Sequence, residues 1–176
     1  MSNLFGDWAR LDNFLREAPA KIKAASEVGS NRAGALLSKR IKEGIRSQAP
    51  GGKRFEKLSS LTTSKKSGTK ALIASGALLR SVTWKKVKGG VWVGSNRRDA
   101  SGKYNLATIH EQGCTIKVTE KMRWKFIGIA GHPLNETTKY IHIPARPFIG
   151  PVASDPDVQQ DLKDEYVKAI QEVLRP

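Results

Sequence analysis

The sequence predicts an α+β fold: an antiparallel sheet with N-terminal helices and a C-terminal helix packed on it, plus a long basic loop. Three observations predict it. Apolar residues recur at spacings of three and four near both ends of the chain, the mark of a helix with one apolar face. Between residues 82 and 143, short β-rich runs alternate in hydropathy and are separated by glycine and polar turns. Helices at the ends of an antiparallel sheet, with no strand–helix–strand repeat, make an α+β layer structure. With 176 residues, 39% of them hydrophobic, the chain fits one domain over 1–176.

Each element follows from local chemistry. In the helical region 1–48, Leu11, Phe14, Leu15, Ala18 and Ile22 share a face, Asp7 is placed to cap the start, and Pro19 should kink or interrupt the helix. A second helix is expected after Gly29-Ser30-Asn31, with Asn31 as its N-cap and Leu37, Ile41 and Ile45 as its stripe. Gln48-Ala49-Pro50-Gly51-Gly52 stops it. Residues 50–70 are too poor in apolar side chains to build a core and read as a basic surface loop or arm.

The sheet region is 72–150. Runs 82–87 and 91–94 form a hairpin through Lys88-Gly89-Gly90. Residues 104–112 make a short helix closed by Gly113. Runs 115–119 and 139–143 alternate as strands, 122–129 reads as another, and Pro144 ends the last. A closing helix over 155–175 has Asp155 as N-cap and Pro156 in its first turn. Its apolar face is Val158, Leu162, Tyr166, Ile170 and Val173-Leu174.

Charge narrows the function. The net charge is +15, and residues 49–103 carry thirteen Lys and Arg against two acids. So concentrated a field attracts polyanions, nucleic acid above all, and Lys53, Arg54, Lys65, Lys66 and Lys70 are the expected contacts. Trp84-Lys85-Lys86 and the stretch from Lys121 to Phe126 interleave cations with rings. Period-two alternation assigns Trp84, Trp92, Trp124 and Phe126 to one sheet face and the lysines to the other, as packing rather than base stacking.

Other classes find little footing. His110 and Cys114 are four apart, but Gly113 breaks the helix between them, so no metal and no cofactor are expected. There is no Gly-x-Ser-x-Gly elbow and no glycine-rich phosphate loop, so the chain is not expected to be an enzyme. A single cysteine precludes an intrachain disulfide, and no apolar run approaches the roughly 18 residues of a membrane span. The expectation is a soluble intracellular product.

Five segments in order carry a resemblance. They are 55–62 (FEKLSSLT), 72–81 (LIASGALLRS), 91–95 (VWVGS), 104–113 with its Ile109-His110 and Gly113, and 143–150 (IPARPFIG). Together they resemble the phage virion morphogenesis family typified by phage Mu, and more loosely the lambdoid tail-component proteins. The resemblance implies a tail-completion or neck role, ring assembly and no catalysis. It places the protein in the virion, at the neck or upper tail, assembled in the host cytoplasm. Its partners would be further copies of itself, other neck or tail proteins and the DNA passing through. A free nucleic-acid-binding protein using the same basic loop is the alternative.

The motif residues have structural readings of their own. Gly76 should supply a turn, and Ser81 should satisfy a backbone group at the strand start. Pro144 and Pro147 stiffen the segment around Arg146, which with Phe148 becomes a candidate subunit contact. The closing helix is acidic, so Asp161 and Asp164 are expected to face the basic region of the next copy.

Overall fold

A computed structural model describes residue 6 and residues 8–66 and 68–174. In chain order its elements are α1 (Trp8–Ser47), a 3-10 turn at Pro50–Gly52, α2 (Ser60–Lys65), α3 (Ala77–Ser81), β1 (Val82–Val87), β2 (Gly90–Ser95), α4 (Leu106–Gln112), β3 (Cys114–Lys117), α5 (Glu120–Ala130), β4 (Tyr140–Ile143), α6 (Gly150–Ala153) and α7 (Pro156–Leu174). The class is α+β, and the expected capping role of Asp7 lies outside the described residues.

The two N-terminal helices of the sequence reading are one. Helix α1 runs unbroken through Pro19 and through Gly29-Ser30-Asn31. Packing overrides local preference here. Gly29 lies against α7, where an added Cβ would stand 2.9 Å from the Tyr166 ring, and Gly34 lies against the first hairpin, 3.1 Å from Val91. Both glycines are points of close approach, including Gly29, which reads as a break in the sequence. Pro19 is exposed, so water can satisfy the carbonyl it leaves without a donor.

The sheet is two separate antiparallel pairs, the hairpin β1–β2 and the pair β3–β4, which is joined through α5. In the first, Val87 opposes Gly90 across a Lys88-Gly89 turn whose Gly89 has φ +82°. Trp84 opposes Val93 while Lys85 opposes Trp92, so the two tryptophans point to opposite faces. Trp84 meets α1, whereas Trp92 lies across Gly94 with the Lys85 ammonium 5.1 Å from its ring centre. The expected tryptophan face with lysines behind it is therefore incorrect.

Residues 122–129 are also not a strand. They belong to α5, where Thr119 Oγ1 accepts from Met122 N and Gly131 closes the end with φ +83°. A Thr-Glu start and a left-handed glycine finish are helix signals that outweighed the apolar run between them. Trp124 is 65% exposed there, so it packs no sheet face.

Helix α7 starts as read: Asp155 Oδ1 accepts from Asp157 N at 3.0 Å. It packs along α1 rather than on a sheet, with Ala169 and Val158 buried. Arg40 Nη2 reaches Asp161 at 2.5 Å, and Arg32 holds both Glu172 oxygens at 2.8 and 3.0 Å. The core gathers Ile41 and Ile45 of α1, Leu78 of α3, Val82 of β1, Ala107 of α4, Phe148, Val152 and Val158. Apart from Phe148, these side chains come from helices α1, α3, α4, α6 and α7 and strand β1, whereas β3 and β4 contribute none.

Candidate binding cleft

Two of the family-like segments meet in space. Helix α4 begins at Asn105, whose Oδ1 accepts from Ala107 N at 2.8 Å, and ends at Gly113. Gly113 has φ +72°, and a side chain there would meet Ile143 O at 2.8 Å. From α4, His110 O accepts from Arg146 N at 2.6 Å. Glu111 Oε1 accepts from Phe148 N and Ile149 N, both at 2.6 Å, and Oε2 from Gly150 N at 3.3 Å. One carboxylate thus gathers three N–H groups at the start of α6, each a charge-assisted bond.

That clamp decides where the 143–150 segment points. Phe148 is driven into the core and is wholly buried, so it has no surface to offer another copy. Arg146 faces the other way, into a cleft of about 900 Å³. Pro144 stands beside it in the cleft wall, while Pro147 is exposed.

The cleft is cationic. Lys57, Lys66, Arg97 and Arg146 line it with Glu56 as the single acid, and His110 and His142 add two imidazoles. Arg146 Nε and His110 Nδ1 are buried with no hydrogen-bond partner among the described residues. Burial, reinforced by Arg146, pushes the His110 pKa down, and the same pair of causes in the same order lowers Lys66. A mostly solvent-open positive cleft with a buried, unsatisfied Arg146 Nε is complementary to an anion.

The five expected polyanion contacts do not form one free arm. Lys53 and Arg54 are exposed beyond the 3-10 turn. Lys65 ends α2, Lys66 enters the cleft and donates to Lys70 O, and Lys70 Nζ caps α1 by donating to Arg46 O at 3.1 Å. The stem of this excursion is closed by Gln48, whose side-chain amide donates to Ala71 O at 3.0 Å while its oxygen accepts from Ala71 N. Phe55 N also donates to Gln48 O at 2.9 Å, and Phe55 packs against the core. The described residues of 50–70 hold structure because both ends are tied.

Gly76 takes φ +70° at the start of α3, and Ser81 Oγ donates to Leu78 O at 2.7 Å and meets Ser95 Oγ at the same distance. Asp161 is committed to Arg40 within the chain, whereas Asp164 is exposed and accepts from Gln160 at 2.8 Å. Glu111 and Gln48 were missed by sequence reading. Their partners lie 37 and 23 residues away, and no local pattern announces such pairings. Among the described residues, no three His, Cys, Asp or Glu side chains come together, and no helix is long and apolar enough to cross a membrane.

The fold is an α+β body with a groove whose charged lining is mainly cationic. The chain belongs to the phage virion morphogenesis family, whose sequence profile matches residues 6–168, so it serves the assembly of a bacteriophage virion. No curated protein and no solved structure matches it.

Proposed function

We infer that this protein is a ring-forming component of the phage neck or tail end, a tail-completion or terminator protein through which duplex DNA passes, and that it is not an enzyme. The observation that carries the ring is the outer half of α1. Trp8, Leu11, Leu15, Ala18 and Ile22 recur at alternating spacings of three and four, and Ala25 and Gly29 continue the same seam into the packed part of the helix. Trp8 is 68% exposed, Leu15 59%, and Leu11 and Ile22 45% each, whereas Ala25 is fully buried. A soluble monomer rarely leaves such a stripe in water. Covering a large apolar side chain contributes about 1.5–3 kcal/mol, so finishing the burial of this half-covered stripe is worth on the order of 1 kcal/mol per residue.

The basic middle third supports DNA as a neighbour, since thirteen cations against two acids make a long-range attractive field. The same charge favours a second reading, a free nucleic-acid-binding protein. Native mass spectrometry separates them: a closed oligomer without DNA supports the ring, and a monomer that assembles only on DNA supports the alternative. Absence of the chain from purified virions would remove the structural role altogether.

A further inference from the structure

The geometry points to strand addition: the free edge of β4 receives an extended acidic segment of another protein, whose carboxylates answer the cations of the cleft. This holds whether or not the chain forms a ring.

The edge comes first. Val118 N donates to Lys139 O at 2.9 Å, and the ladder continues with Lys117 opposite Tyr140, Ile116 opposite Ile141, Thr115 opposite His142 and Cys114 opposite Ile143. In an antiparallel pair, bonded and non-bonded positions alternate. Residues 139, 141 and 143 therefore bond to β3, and Tyr140 and His142 turn their N–H and C=O groups away from it. No third strand takes them up among the described residues. All four β4 residues and Pro144 line the cleft, and no β3 residue does, so this open edge is the cleft's wall.

Charge selects what pairs there. Lys57, Lys66, Arg97 and Arg146 oppose a single Glu56, and the buried Arg146 Nε lacks an acceptor. Leu58, Leu72, Phe126 and Leu134 supply apolar wall between them. A strand projects side chains alternately to its two sides, so acidic residues in alternation with apolar ones meet both surfaces at once. A phosphate alone would leave most of the 900 Å³ and all of the apolar wall unused. A second copy is a poor source, because six of the chain's acids, from Asp155 onward, lie on or at the start of helix α7 rather than in an extended run.

The test uses the full chain and a short peptide alternating glutamate with valine, labelled for anisotropy, with hydrogen exchange read at the Tyr140 and His142 amides. Binding is expected, with both amides protected by about tenfold or more, and N-methylation of the peptide backbone at alternate positions should weaken binding about tenfold. Arg146→Met should weaken it to a similar degree; if that variant does not fold, Lys66→Met serves, and the exchange measurement on the native chain decides without either. The inference is overturned if the peptide does not bind, or if N-methylation makes no difference, which would mean non-specific charge attraction. It is equally overturned if a short DNA duplex displaces the peptide and produces the same protection, making the cleft a nucleic-acid site. Protection that rises with protein concentration in the absence of peptide would assign the edge to a second copy instead.

Discussion

At the scale of single residues, two groups next to the cleft have measurable consequences. Glu111 gathers the N–H groups of Phe148, Ile149 and Gly150, and a hydrogen bond to a charged group is worth about 1.5–3 kcal/mol. Glu111→Ala should therefore lower unfolding free energy by roughly 2–4 kcal/mol, visible as an earlier urea midpoint, and Glu111→Gln by less, since an amide oxygen still accepts. His110 loses stability on acidification in the same sense as a carboxylate with a lowered pKa, only at a higher pH. Its folded pKa is held below the ordinary 6.5 by burial and by Arg146, so the unfolded chain takes up a proton first as pH falls. Stability should decline from pH 6.5 downward until the folded pKa is passed, and His110→Gln should flatten that slope in a pH series of thermal melts. Asp99 shows the carboxylate case. Hydrogen bonds from Ser101 and from Tyr104 N hold it at about 2, so its loop should keep its order well below the pH at which ordinary carboxylates protonate. The roles of Glu111 and His110 were not legible beforehand, because each depends on a neighbour that chain folding supplies, whereas Asp99 caps a local turn through Ser101 and Tyr104.

At the scale of elements, glycines separate what sequence can show from what it cannot. Gly29 in α1 and Gly128 in α5 look alike in sequence, each a weak point in a helix. Gly29→Ala forces a Cβ to within 2.9 Å of Tyr166 and should destabilise by about 1–3 kcal/mol, a typical overpacking penalty. At Gly128 nothing lies within 4 Å, and Gly128→Ala should stabilise by about 0.5–1 kcal/mol, the intrinsic helix preference. If the two substitutions shift the melting temperature in the same direction, the close packing of α1 on α7 is wrong. The hairpin β1–β2, helix α4, strand β4 and helix α7 were readable because turn residues, caps and periodicity agreed. The single long α1 and the helix α5 were not. In the first, tertiary packing overrules glycine and asparagine signals, and in the second the Thr119 and Gly131 caps outweigh the strand-like apolar run between them. The cleft was half legible: Arg146 and His110 stood out within their motifs, but not that they would face one space.

At the scale of the whole molecule, shape and charge act on different partners. The 40 residues of α1 span about 60 Å at 1.5 Å per residue, more than a compact body of this length measures across, so one end must overhang. Leu11→Glu with Leu15→Glu should abolish self-association while leaving circular dichroism of the folded body unchanged, since both side chains are exposed. An unchanged oligomer by native mass spectrometry would move the seam elsewhere. Lys53→Ala with Arg54→Ala should alter stability by no more than about 0.5 kcal/mol and make DNA association less salt-dependent, because fewer counterions are released. The Gln48 clamp bears on something else again, the freedom of this protein to vary. A segment whose stem is held by the Gln48 amide, by Phe55 in the core and by Lys70 on Arg46 O can change length at its tip with little penalty, because each doubling of a flexible loop costs only about 0.6 kcal/mol. The stretch just after α2 is therefore the part of this excursion that tolerates insertion. An epitope tag or fluorophore inserted after Gly68, where the backbone stands in open space, should leave the melting temperature within a few degrees of the parent, whereas one placed inside α2 would break that helix.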